Sequence, residues 1–198
     1  MDAAATPSAA RERILDAAST AFYRRGIGAV GVDAVVAEAG VAKATLYRHF
    51  TSKDELIVAF LRRRDARWRG WLRDAVERLA PAPGDRPLAV FDALGEWFAS
   101  DDFRGCAFIN AAAEIADPGH PARAAVEDHK RLLAEYLDEV LRQAGAADHA
   151  ADAGALLLLV EGAIVSALIE QDAAPATRAR EAAARILRTP TPASKEQT

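Results

Sequence analysis

Val32-Asp33-Ala34-Val35-Val36-Ala37-Glu38-Ala39-Gly40-Val41-Ala42-Lys43-Ala44-Thr45-Leu46-Tyr47-Arg48-His49-Phe50 holds two short apolar patterns on either side of a glycine. Val32, Val35, Val36 and Ala39 recur at i, i+3, i+4 and i+7, the period of one helix face. Gly40 follows them and suits the left-handed conformation that closes a helix. The next segment, from about Ala42 to Phe50, reads as a second short helix, with Leu46 and Phe50 four apart on its inner face. A short helix, a glycine turn and another short helix make a helix-turn-helix, and the same pattern also makes a plain αα-corner with a polar surface. The outward residues bear on the choice between the two readings and leave both open. If the apolar positions lock the helices together, Lys43, Ala44, Thr45, Tyr47, Arg48 and His49 face out. Ala44 permits close approach to a groove floor, Thr45 can hydrogen-bond or touch a thymine methyl, and Lys43 can reach guanine acceptors. Tyr47, His49 and the nearby Lys53 can donate to phosphates.

The flanking segments are helical too. A first helix is expected from about Ala9 to Arg25, with Ile14, Ala18, Ala21 and Phe22 on one face and Gly26 and Gly28 ending it. Ser52 and Glu55 have capping-box spacing and open a fourth helix, which runs through Trp68 and Trp71 to about Leu79 before Pro81-Ala82-Pro83-Gly84. Further helices are read over about 87–100, 105–116, 121–144, 147–171 and 175–188. No segment alternates like a half-buried strand. The fold class is therefore all-α, with about nine helices. The tail over 189–198 is polar, contains two prolines, and is expected to be mobile.

Charge divides the chain. Residues 1–64 carry ten Lys/Arg against seven Asp/Glu, and residues 65–198 carry fifteen against twenty-two. A basic head on an acidic body suits a polyanion at the head, although chance variation among solvated faces would look the same. With 51% hydrophobic and 27% charged residues, disorder throughout is excluded. The single cysteine, Cys106, excludes an intrachain disulfide, reads as a small buried packing residue, and points to a reducing cytoplasm. The residues from Met1 to Pro7 have no signal-peptide pattern. The longest apolar run, Ala155 to Ile169, is 15 residues and holds Glu161, short of the roughly 20 that a membrane span needs.

The run Gly40 to Leu56, with Arg13-Ile14-Leu15-Asp16-Ala17-Ala18, Phe22 and Gly26 before it, resembles the signature of the tetracycline-repressor (TetR/AcrR) family of bacterial regulators over residues 11–60 or so. The resemblance implies an N-terminal DNA-binding domain (1–54), a C-terminal effector-binding and dimerisation domain (55–188), and a homodimer on double-stranded DNA. It also implies release by a small-molecule effector of unknown identity. No metal-binding, phosphate-loop or catalytic motif is found, so no cofactor, metal or enzymatic role is expected, nor a membrane, and the protein is expected in the cytoplasm at the nucleoid. Repression is the leading expectation, and an activator or dual regulator is the alternative. By position, Lys43, Ala44 and Thr45 resemble base-facing residues, and Tyr47, His49 and Lys53 resemble phosphate contacts. Two positions depart from the pattern: Gly31 stands where Ser or Thr commonly caps the second helix, and Ala42 stands where Ser is common. Arg104 to Glu114 resembles a segment found in one subset of the family.

The body offers weaker signals. Trp68, Trp71, Phe91, Trp97, Phe98, Phe103 and Phe108 are read as core residues or pocket walls, and Asn110, Glu114, His129, Tyr136 and Glu161 as polar groups beside apolar runs. Glu161 would need a partner, whether a ligand, an interface cation or solvent. The apolar helix around Ala155–Ile169 is expected to be buried on two sides, by its own core and by a partner subunit. Gly162, Val165, Ser166, Leu168, Ile169 and, on the last helix, Ile186 are the candidate dimer residues. His120, His129 and His149 form no metal-ligand spacing, and Asp101-Asp102 reads as a turn or cap. A protein-binding helical module and a small-molecule enzyme stay open as other classes, the first tested by failure to bind any duplex at low salt, the second by turnover.

Overall fold

Ser8 starts the first helix: its Oγ accepts the Arg11 N–H at 3.3 Å and satisfies one of the orphan donors of helix α1 (Ala9–Arg25). The structure, a computed structural model, describes residues 8–188. The readings placed on residues 1–7 and on the tail over 189–198 lie outside the described residues. Among the described residues there is no strand; the elements are nine α-helices and one 3-10 turn. After α1 come α2 (Val32–Ala39), α3 (Lys43–His49), α4 (Lys53–Leu79), the 3-10 turn (Pro83–Asp85), α5 (Arg86–Phe98), α6 (Ala107–Glu114), α7 (Ala122–Gln143), α8 (His149–Glu170) and α9 (Ala174–Ile186).

The helices divide between two compact units. The first takes its residues from 8–68 and 106–129 and holds α1–α3, the start of α4, α6 and the start of α7. Its core is built from Ile14, Ala18 and Phe22 of α1, Val35 of α2, Leu46 of α3, Phe50, and Leu56 and Phe60 of α4. Phe22 and Phe60 meet edge to face with ring centroids 5.7 Å apart. Gly40 adopts φ +63° and ends α2, with its N–H on the Ala37 carbonyl and the Val41 N–H on Val36. Ser52 Oγ accepts the Glu55 N–H at 3.1 Å, one half of a capping box. The other half is displaced by one residue. The Glu55 carboxylate takes the N–H and hydroxyl of Thr51, at 2.7 and 2.8 Å, and these bonds lower its pKa below the usual glutamate value.

Arg63 ties α4 to α1. Its guanidinium donates to the Leu15 carbonyl and to Ser19 Oγ, both at 2.7 Å, and lies 2.9 Å from Asp16 and 3.4 Å from Glu12. A guanidinium, with five N–H donors in a fixed planar fork, can serve these acceptors at once.

The second unit takes its residues from 69–105 and 130–188. α9 packs on α5 and α8, and Arg180 pairs with Asp92 at 3.0 Å. In α8, Ala153, Leu156, Val160, Ala163, Ile164 and Ala167 form the buried stripe. The opposite stripe is open: Leu158 is 72% and Ile169 75% exposed, with Gly162, Val165 and Leu168 between them. One face of α8 is thus buried by its own chain, and the second face expected to be covered is exposed. The 22-residue α8 is also longer than the apolar run read from sequence, long and apolar enough to span a membrane by length and composition. Its buried stripe and its Glu161, paired at 2.6 Å with Lys130, are features of a packed helix.

Candidate nucleic-acid interface

α3 is seven residues long, and Leu46 alone among them is fully buried. Burying Leu46 at 0% exposure and Phe50 at 1% turns the remaining positions outward. Lys43, Ala44, Tyr47 and Arg48 are exposed, and Thr45, His49 and Lys53 are half-buried. The structure therefore brings the seven predicted DNA-contacting residues to α3 and the first turn of α4. Arg48 lies 3.4 Å from Thr45 Oγ1, and His49 Nε2 lies 3.2 Å from Ser8 Oγ, so the start of α1 borders the same surface.

Lys43 is anchored from the neighbouring helix. Its Nζ lies 2.7 Å from Asp33 Oδ1 in the first turn of α2. The hydrogen bond to Asp33, followed by the carboxylate's charge, raises the lysine pKa above its ordinary value. Asp33 was not among the residues singled out in the sequence, where it reads as a generic acidic residue of a first turn. Its contact crosses the Gly40 turn and appears only once α2 and α3 are packed.

The residues considered for an effector fall in both units. In the first unit, Trp68, Phe108 and His129 form one cluster. The His129 ring stacks on Phe108 at 3.6 Å and 6°, and meets Trp68 edge-on at 5.6 Å. Its Nδ1 is 2.8 Å from Asp65, a partner that sequence reading missed. Asn110 is half-buried on α6. Glu114 reaches the turn after α1 and accepts the Gly28 N–H at 2.6 Å. In the second unit, Trp71 and Trp97 lie 6.3 Å apart, and Trp97 also meets Phe103 at 4.9 Å. Phe91 is wholly buried, and Tyr136 lies under the Arg73 guanidinium, 5.2 Å from its ring centre. Burial raises the Tyr136 pKa to about 12.

An open concavity of about 430 Å³ lies in this second unit, lined by Phe98, Ser100, Phe103, Arg104, Ala167, Leu168 and Gln171. It shares Phe98 and Phe103 with the aromatic group named from sequence. Of the candidate dimer residues, Gly162, Val165, Leu168 and Ile169 share the open face of α8, while Ser166 and Ile186 are half-buried. Leu158 belongs to that open face and was missed. Its i, i+4, i+7 relation to Gly162 and Val165 was visible in the sequence, but an all-apolar helix does not reveal which side faces out. Cys106 is buried, and no group of acidic, histidine and cysteine side chains suited to a metal occurs among the described residues.

Two family models match the chain. One, described as bacterial regulatory proteins of the tetR family, covers residues 14–60, and the other, described as the tetracyclin repressor-like C-terminal domain, covers residues 83–183. The crystal structure of a TetR-family transcriptional regulator from Streptomyces coelicolor superposes with a TM-score of 0.82 at 37% identity, covering 90% of this chain and 94% of that one. The transcriptional regulator LmrA of Bacillus subtilis is 26% identical over 169 residues, 83% of this chain and 89% of its own. The transcriptional repressor NemR of Escherichia coli is 26% identical over 132 residues, 66% of each chain. NemR's reduced-form crystal structure superposes with a TM-score of 0.79 at 25% identity, covering 92% of this chain and 100% of that one.

Proposed function

The chain belongs to the tetR family of bacterial regulatory proteins, and on that premise we propose that it is a homodimeric repressor of transcription. In this reading it binds a near-palindromic operator and leaves it when a small molecule binds the C-terminal region. That it is a DNA-binding transcriptional regulator follows from the family, whose relatives are regulators and not enzymes. The dimer rests on one observation above others. α8 carries an open apolar stripe, Leu158, Gly162, Val165 and Ile169, opposite the stripe it buries in its own unit. Exposed apolar surface of this kind marks an interaction face, and a second copy supplies the same stripe by two-fold symmetry.

Two copies would present two α3 helices to successive major grooves, with half-sites about one helical turn, or 34–36 Å, apart. Repression is supported by NemR, a repressor with two thirds of each chain in the match. A small-molecule effector can move the protein off DNA only by its differential affinity for the two states, typically about 1–3 kcal/mol. The same reading places the protein in the cytoplasm at the nucleoid.

The test is a selection of duplexes from random sequence with the purified full chain, followed by a salt titration on the selected site. A palindromic motif is expected, with affinity falling steeply as salt rises. Lys53→Ala should lower the salt slope by about one unit and leave the motif unchanged. A non-palindromic motif would overturn the dimer. Increased transcription from a promoter carrying the site would overturn repression.

A further inference from the structure

We propose that Asp33 is a specificity-determining residue of the DNA interface, and that Asp33 and Lys43 together read one G·C base pair in each half-site. Lys43 stands on the outward face of α3, and its Nζ is 2.7 Å from Asp33 Oδ1. The Asp33 side chain is 79% exposed, so its second oxygen remains open to the surface that Lys43 shares.

The chemistry follows from placing a donor beside an acceptor. An exposed ion pair of this kind adds little to folding stability. A carboxylate at a surface that meets phosphates needs a cation or a base donor beside it; Lys43 occupies one oxygen of Asp33, and a base donor can occupy the other. In the major groove those donors are the exocyclic amines of cytosine and adenine. A G·C pair presents guanine N7 and O6 side by side as acceptors, with the cytosine N4 amine next to them. Guanine O6 and cytosine N4 are joined by a base-pair hydrogen bond of about 2.9 Å, close to the separation of Lys43 Nζ and Asp33 Oδ1. Lys43 keeps two protons for the guanine acceptors while the third stays on Asp33, and Asp33 accepts the free N4 proton of cytosine. An A·T pair fits less well, because its two acceptors flank the adenine amine and are not adjacent. Asp33 also holds the lysine charge away from phosphate, which turns a general cation into a base reader.

The experiment is duplex selection with the full chain as wild type, Asp33→Ala, Asp33→Asn and Lys43→Met. The wild type is expected to select a G·C pair at one fixed position of each half-site. Asp33→Ala should reduce that preference by at least about fivefold. It should keep the folding stability and steepen the salt dependence by about one unit, as the freed Lys43 turns to phosphate. Asp33→Asn should shift the position toward A·T, since an amide pairs with adenine. Lys43→Met should lose preference at the same position. Uniformly altered affinity with an unchanged motif in the Asp33 variants would overturn the proposal. So would an A·T pair selected there by the wild type, or effects of Asp33 and Lys43 at different positions. If the wild type selected no motif, the DNA-reading role of α3 would fall, and this inference with it.

Discussion

Glu114, the last residue of α6, holds the backbone N–H of Gly28 at 2.6 Å, across 86 positions of sequence. The contact places an anion against the turn between α1 and α2, the turn that leads into the helix-turn-helix. Its geometry demands glycine nearby. Gly26 has φ +89°, and a Cβ there would lie 2.9 Å from Glu114 Oε1. Glu114→Ala should cost about 1 kcal/mol, the loss of one charge-assisted bond at an accessible site. Gly26→Ala should cost more, about 1–3 kcal/mol, because it adds backbone strain to the clash. Urea denaturation of both variants checks the order. If Gly26→Ala were the milder change, the turn would be more adaptable than the close approach implies.

Arg63 is the strap between α4 and α1, with its side chain 14% exposed. Arg63→Ala should destabilise by about 2–4 kcal/mol, since two donors to Leu15 and Ser19 and two carboxylate partners lose their cation together. Arg63→Lys keeps the charge but cannot reach all the acceptors, and should recover less than half of that loss. Denaturation midpoints followed by far-ultraviolet circular dichroism measure both. Full recovery by lysine would show that charge alone matters.

Tyr136 gives stability a specific alkaline limit. The residue is 7% exposed, and burial raises its pKa to about 12, against about 10 in an unfolded chain. Below pH 10 the phenol is neutral in both states and contributes no pH dependence. Between about 10 and 12 the unfolded chain loses the proton and the folded chain keeps it, so stability falls as pH rises. The loss should approach about 3 kcal/mol by pH 12. Tyr136→Phe should flatten melting temperature against pH in this window, measured relative to wild type so that lysine titration cancels. Parallel curves would assign the alkaline loss to other groups.

The open stripe of α8 is best tested where the chain's own packing is least disturbed. Leu168 is a poor choice, because it already packs against Gly105 of its own chain. Leu158→Glu and Ile169→Glu sit at 72% and 75% exposure and should fold normally. Sedimentation should show monomers for each and a dimer for the wild type, with operator affinity falling at least about tenfold as two-half-site binding is lost. Dimers in both variants would move the interface to another face.

The helices were legible because their signals are local. Ser8 and Ser52 cap, Gly26 and Gly40 terminate, and apolar spacing sets the faces. Each acts within one or two turns of chain, so the observed ends fall within about two residues of those read from sequence. The outward face of α3 was legible for the same reason, since burying Leu46 and Phe50 decides the rest. The side-chain partners were less accessible. Glu55 carried a capping pattern, yet its carboxylate settled one residue early, on Thr51, because the Thr51 hydroxyl adds a second donor.

The amino-acid order alone therefore established an all-helical chain, a pair of short helices around a glycine turn near its start, and the side chains that α3 presents. These depend on periodicity and on backbone conformations intrinsic to particular residues. Packing established what lies far apart in sequence: Asp33 beside Lys43, Asp65 beside His129, Glu114 on Gly28, and the choice of which side of α8 faces out. Glu, Asp and Lys side chains can find partners in many directions, and a helix apolar on every side has no preferred inner face. Neighbouring helices select one arrangement from the several that the local sequence permits.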